Sequence, residues 1–169
     1  MKCTYCPQCG TKTSLKDIGD EGPTPYCQSC NKALLDLPSP GVLVVALNCD
    51  EQVPLLKQHY ITEEHSVLVA GYAKAGETIE QTVIREVKEE TGLSVTGSRY
   101  VASYYHERTD ALLLGFMAHV DGELSAGSSE VDDLKWVELA RADALLRPGS
   151  IGIAHCRRVK DFIRGRERS

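Results

Sequence analysis

Glu86, Glu89 and Glu90 are spaced i, i+3 and i+4. On a helix that turns about 100° per residue they fall within an arc of about 100°, on one side. Three carboxylates on one stripe repel each other, and a divalent cation offsets that cost. Hard oxygen ligands suit Mg²⁺ or Mn²⁺, which can also hold phosphate oxygens. The same pattern fits a solvated acidic face, with Arg85 and Lys88 softening the repulsion. The charge spacing alone leaves both readings open.

A second group of chemical side chains lies near the start. Cys6-Pro7-Gln8-Cys9 and Cys27-Gln28-Ser29-Cys30 are two CxxC pairs with 17 residues between them. Each pair can form a knuckle whose thiolates point at one ion, and two knuckles make the tetrahedral four-sulfur site that zinc favours. Gly10 and Asn31 follow the pairs and suit the turns that a knuckle needs. About 36 residues bury too little core to fold alone, so the metal is expected to be structural and the main support of residues 1–36. Cys3 can form an alternative CxxC with Cys6; Gly10 after Cys9 favours the Cys6–Cys9 pair. A redox CxxC would need one pair on a βαβ pattern. Cys49 and Cys156 stand alone.

The elements that must position the glutamates can be read around them. Thr78 and Gln81 form a T-x-x-Q capping box, so a helix is expected to begin there. Gly92 can adopt the left-handed cap that ends it, with Leu93 packing back. Ile79, Val83 and Val87 recur every four residues and give one apolar face. Residues 37–41, with Pro38 and Pro40, read as a stiff linker that separates residues 1–36 from 37–169. Val42–Leu47 reads as a buried strand, with Val53–Gln58 as its partner and Pro54 marking a strand start or edge. Val67–Ala70, Arg99–Tyr105, Ala111–His119 and Val131–Val137 are further strand candidates. Two more helices are expected at 139–146 and 150–165. Strands with interspersed helices indicate an α/β or α+β sandwich.

The whole string from Gly71 to Leu93, GYAKAGETIEQTVIREVKEETGL, resembles the Nudix box, Gx5Ex7REUxEExGU with U apolar. Every defined position matches. The resemblance implies a Nudix α/β/α sandwich with a mixed sheet and a loop–helix–loop metal site. Carried over by position, Glu86, Glu89 and Glu90 are the metal-binding carboxylates, and Glu77 with Arg85 is an orienting ion pair. Gly71 allows close backbone approach and can offer its carbonyl to a metal. The implied reaction is metal-dependent hydrolysis of the diphosphate in a nucleoside-diphosphate-linked compound, with Glu90 or Glu130 accepting a proton from the attacking water.

A four-cysteine ribbon followed by this box resembles the NADH pyrophosphatase branch, from about Cys6 to Phe162. That branch carries SQPWPFPxS shortly after the box. Here the equivalent stretch reads Ser103-Tyr104-Tyr105-His106-Glu107-Arg108-Thr109-Asp110-Ala111, and only the first Ser is kept. The segment is expected to contact the base or nicotinamide side of the substrate. Tyr104 and Tyr105 present alternating aromatic faces, one of which can stack on a base, and His106 and Arg108 can reach phosphate or ribose. NADH or NAD, ADP-ribose, FAD and a dinucleoside polyphosphate are the candidate substrates.

Composition limits the alternatives. The chain has 169 residues, 42% hydrophobic and 25% charged, with a formal net charge of -5. Residues 1–40 hold four lysines and four acids and no basic stripe. A nucleic-acid partner is therefore not expected. No apolar run reaches the length of a membrane span, and the start lacks a signal-peptide core, so the expected compartment is the cytoplasm. The arginines and lysine between 157 and 168 are read as a basic tail that complements a helix C-terminus. Homodimerisation is implied by the resemblance only. Two rival readings are a catalytically silent nucleotide sensor and an RNA-end processing pyrophosphohydrolase. The intact REUxEE string argues against the first, and the neutral ribbon and acidic total argue against the second.

Overall fold

The structure, a computed structural model, describes residues 3–58, 62–126 and 131–166. The chain divides into two compact units, Met1–Pro38 and Ser39–Ser169.

The first unit is a three-stranded antiparallel sheet of β1 (Ser14–Asp17), β2 (Pro23–Cys27) and β3 (Lys32–Ala33), in that order. Its core is Cys6, Cys27 and Leu34, with Cys3 and Cys30 packed against them. So small an apolar set leaves most of the stabilisation to something other than burial. Asn31 and Gly10 take positive φ, 51° and 72°, as the two knuckles require.

The second unit holds two sheets. Strands β4 (Ser39–Leu47), β7 (Val69–Tyr72), β8 (Ser94–His106) and β9 (Ala111–Asp121) form the order β7-β4-β9-β8, with β4 and β9 parallel. Strands β5 (Gln52–Gln58), β6 (Thr62–Val67) and β10 (Asp133–Glu138) form the order β10-β5-β6. The helices are α1 (Ile79–Thr91), α2 (Leu139–Ala142) and α3 (Ile151–Arg166).

Strand β4 explains the layering. Val42, Val44 and Ala46 point to one face and pack with Val83 and Val87 of α1. Leu43, Val45 and Leu47 point to the other and pack with Cys156 and Val159 of α3. Alternate residues of a strand face opposite sides, so a continuous apolar run is what a strand covered on both sides needs. Helix, sheet and helix make an α/β/α sandwich. Each fully buried valine of this core contributes about 1.5–3 kcal/mol.

Several local expectations need correction. Residues 37–41 are not all linker: Ser39, Pro40 and Gly41 already belong to β4 and pair with β9. Strand β5 is not the partner of β4; it pairs with β10 and β6, while β4 pairs with β7 and β9. Pro54 lies opposite Trp136 of β10, and among the described residues β6 joins β5 at Leu56 and Gln58, beyond the proline. The apolar run at 67–70 is divided between two sheets: Val67 ends β6 and Val69 begins β7. The helix expected at 139–146 stops at Ala142. The basic tail is not simply solvated: Arg157 and Lys160 bind Asp143, at 3.4 and 3.0 Å. Arg168 lies outside the described residues.

Candidate functional site

Helix α1 is set at both ends as its sequence demands. The Thr78 side chain accepts from Gln81 N, the Gln81 side chain accepts from Thr78 N, and Gly92 closes the helix with φ 74°. These caps fix where each glutamate emerges. Val83 and Val87 turn inward, so Glu86 and Glu90, one position away from that face, are buried with it, while Glu89 is half exposed.

Arg85 organises three of the carboxylates around this helix. Its Nε and Nη2 grip Glu77 at 2.6 and 2.9 Å. Its Nη1 donates to Glu86 at 2.7 Å and Glu89 at 3.0 Å. Its Nη2 also donates to the Tyr72 carbonyl at 3.0 Å. The five donors of a guanidinium are thereby all used. The hydrogen bond from Arg85 holds the Glu77 carboxyl down at about 2, helped by the Lys74 amide. The same bond raises Arg85, which stays charged. Burial pushes the Glu86 carboxyl up against the pull of Arg85. Lys74 adds a second positive charge 3.5 Å from Glu89.

Glu90 faces a different set of partners. It accepts from Gln58 Nε2 at 3.1 Å and from the Ala70 amide at 3.3 Å. Strand β7 thus runs beside the helix, and Gly71 is the point of closest approach. A methyl group at Gly71 would lie 2.0 Å from the Glu86 carboxylate carbon. Gly71 has no positive φ, so what it supplies is room. With all four carboxylates ionised, Glu77, Glu86, Glu89 and Glu90 outnumber Arg85 and Lys74 by two. Such an oxygen-rich, under-neutralised cluster fits a hard divalent cation.

A cavity of about 670 Å³ opens against this cluster, sharing Gln58, Ala70 and Gly71 with it. Leu43, Leu68, Leu113 and Leu146 give it an apolar lining, and His106, Arg108 and Arg147 line it as well. Its size suits a nucleoside. His106 and Arg108, named from the sequence, thus reach the cavity. Tyr104 does not line it. Its hydroxyl is 3.3 Å from His155 Nδ1, and its ring meets the His155 ring edge-on at 5.7 Å. Alternation puts His106 and Tyr104 on one face of β8, and their different positions along the strand bring them to different neighbours. Glu130 lies outside the described residues.

Three features of the site have little or no sequence signal. Gln58 carries a faint one, a second polar residue after Lys57 at the end of the Val53–Leu56 apolar run. The Tyr72 carbonyl carries none, since every residue has one. Arg147 lies 54 positions beyond the box and reaches the cavity only through the chain's return after α2.

In the first unit the sulfurs of Cys6, Cys9, Cys27 and Cys30 all lie within 4.8 Å of one another. Cys9 and Cys27 are 3.5 Å apart, and Cys6 and Cys30 3.9 Å. A tetrahedron with bonds of about 2.3 Å to zinc has edges of about 3.8 Å, so the donor set and its spacing fit that ion. Cys3 is not in the cluster; its carbonyl accepts from Thr13 at 2.6 Å. The Thr11 hydroxyl holds Cys9 down at about 6, and the bond from Cys9 pushes Cys30 up to about 12, so the four thiols do not share one proton affinity.

Comparison with known proteins identifies the family and the fold. A family model described as NUDIX domain matches residues 37–155. A protein of Photobacterium profundum named NAD-capped RNA hydrolase NudC is 34% identical over 151 residues, covering 88% of this chain and 54% of that protein. One of the same name from Vibrio cholerae is 30% identical, covering 89% of this chain and 55% of that protein. The chain therefore spans about half the length of these curated relatives. Among solved structures, a NUDIX hydrolase from Nitrosomonas europaea superposes with a TM-score of 0.72 at 22% identity, covering 100% of this chain and 94% of that one. A MutT structure gives 0.58 at 18% identity over 72% of this chain and 96% of that one. These two likenesses speak for the fold.

Proposed function

The chain belongs to the NUDIX family, and from that premise we propose that it hydrolyses the diphosphate of a nucleoside-diphosphate-linked small molecule, with NADH or NAD, ADP-ribose and FAD as the compounds to try. The observation that carries this reading is the set of glutamates on α1 beside β7: Arg85 holds Glu86 and Glu89, Gln58 and Ala70 hold Glu90, and Gln58, Ala70 and Gly71 also line a nucleoside-sized cavity. Glu86, Glu89 and Glu90 are assigned to hold Mg²⁺ or Mn²⁺, with Glu89 and Glu90 as the principal direct ligands. Such an ion neutralises diphosphate charge and acidifies water.

The chain's own residues do the rest. Arg85 sets the direction of Glu86 and Glu89, and Glu77 anchors Arg85 from behind. Gln58 donates to one oxygen of Glu90 and the Ala70 amide to the other, so together they fix its carboxylate beside β7. Glu90 and Glu130 are the two candidates for accepting the proton of the attacking water. The apolar lining excludes water from the nucleoside, and His106 and Arg108 contact its polar edge. In the first unit, Cys6, Cys9, Cys27 and Cys30 are assigned to structural zinc.

The relatives' name adds a second reading, a capped RNA as substrate. It is supported by identity of 30–34% over more than four-fifths of this chain. The departure at 103–111 and the lack of a basic stripe weigh against it.

The test is product release from NADH, NAD, ADP-ribose, FAD and a capped RNA oligonucleotide, each with Mg²⁺ and Mn²⁺. Preferred cleavage of a small compound, lost by 100-fold or more in Glu89→Gln and Glu90→Gln, is the expected result. A folded protein that binds these compounds but cuts none is a sensor, and the hydrolase reading fails.

A further inference from the structure

The cavity and the helix beside it carry opposite charge. The chain has 24 acids and 19 basic residues. Yet among the described residues that line the cavity there is no aspartate or glutamate, while Arg108, Arg147 and His106 all face it. Arg85, Arg141 and Arg157 each meet a carboxylate. Among the described residues, Arg108 and Arg147 meet none. Two exposed guanidiniums without a carboxylate partner give this cavity a local excess of positive charge, which suits an anion.

We propose that Arg108 and Arg147 bind a phosphate carried on the substrate's ribose, separate from the diphosphate that is cut. The inference rests on the hydrolase reading of the adjoining glutamates, because it assigns the cleaved diphosphate to them and leaves these arginines for a second anion.

Both arginines sit in built turns rather than on loose loops. Arg108 lies between His106 and Thr109, whose Nδ1 and Oγ1 are 2.6 Å apart, and the turn is closed by Tyr105 donating to Asp110 at 2.7 Å. The Arg147 carbonyl accepts from Ser150 N at 3.1 Å, and Gly149 takes φ 73° to make that turn. Their backbones are fixed while their exposed side chains keep reach. Leu43, Leu68 and Leu113 line the same cavity and offer an apolar seat to a base. Planar guanidinium forks match phosphate oxygens better than a single ammonium does. A neutral ribose or nicotinamide would leave both charges unanswered.

A ribose phosphate can be a 2′-monoester on a small nucleotide or the first 3′-phosphodiester of a nucleic acid. The experiment separates these sources. Three probes are compared: ADP-ribose, ADP-ribose 2′-phosphate, and an NAD-capped dinucleotide bearing a 3′-phosphodiester. For each, kcat/KM is measured, and Kd is measured by calorimetry without divalent ion. One phosphorylated probe is expected to be favoured tenfold or more over ADP-ribose in both readouts. Arg147→Gln and Arg108→Gln should each reduce that ratio, and the double variant should bring it to unity. Arg147→Lys should restore only part of it. The probe that is favoured names the source. Equal kcat/KM and equal Kd across the three overturn the proposal. So does a preference that survives the double variant. Binding preference without turnover leaves this inference standing and removes the hydrolase reading instead.

Discussion

Gly71 and Glu86 compete for one volume: the space a methyl group on Gly71 would fill is already held by the Glu86 carboxylate, 2.0 Å away at both its carbon and Oε1. The box demands glycine here for room, as φ at this residue is ordinary.

Gly71→Ala is therefore expected to swing Glu86 off Arg85 and off the metal side. Activity should fall by about 10- to 100-fold, the range for groups that orient a metal ligand. The melting temperature should fall by only a few degrees, since overpacking costs about 1–3 kcal/mol and Glu86 lies at the edge of the core. Steady-state rates at saturating Mn²⁺, beside a melting curve, check this. Unchanged kcat would mean that Glu86 does not need its present position.

Arg85→Lys keeps the charge and loses the fork. A lysine cannot grip both Glu77 oxygens while also reaching Glu86, Glu89 and the Tyr72 carbonyl. We expect a weaker apparent affinity for Mg²⁺ together with a drop in kcat, and Arg85→Ala should be worse on both. A lysine variant with full activity would show that charge alone suffices.

Removing one thiolate should undo the first unit. Cys27→Ser, or treatment with a strong zinc chelator, is expected to abolish zinc binding and unfold residues 1–36, because metal binding in such modules supplies the folding free energy, about 10–16 kcal/mol in comparable ones. Cys3→Ser should leave one zinc per chain. Metal content by elemental analysis decides, and zinc retained by Cys27→Ser would remove that cysteine from the site.

His155 gives the second unit an acid sensitivity of its own. The ring is fully buried, with Nε2 donating to the Phe116 carbonyl at 3.0 Å and Nδ1 facing the Tyr104 hydroxyl. Burial pulls its pKa below the ordinary 6.5. The unfolded chain therefore takes up this proton first as pH falls. Stability from the neutral ring is complete above about pH 6.5 and declines below it, levelling once the folded histidine also protonates. Denaturant midpoints between pH 8 and pH 5 should show the decline in the natural chain and a shallower one in His155→Gln. Equal slopes would assign the decline to other groups.

How much of this was legible beforehand differs by residue. The limits of α1 were readable because Thr78, Gln81 and Gly92 act on the backbone within a turn of themselves, and the pairing of Cys6 and Cys9 with Cys27 and Cys30 because knuckle geometry is local. The partners of β4 and β5 were not. Both strands are continuous apolar runs, and such a run shows that a strand is buried without showing beside what. Tyr104 and His106 could not be separated either, because strand alternation gives the face of a side chain and not the feature that face meets.

The sequence by itself determined the identity and order of the acidic groups, the helix that carries them, the glycine that makes room for them and the four-thiol cluster. All of these rest on interactions between residues close along the chain or on a motif of fixed spacing. Only the tertiary structure decided that Gln58 and the Ala70 amide hold Glu90, that Tyr104 binds His155 rather than lining the cavity, and that Arg147 joins Arg108 on it. Those contacts join residues 20 to 51 positions apart, or bring distant turns to one cavity. They exist only because β4, buried on both faces, draws the surrounding strands and helices into one sandwich.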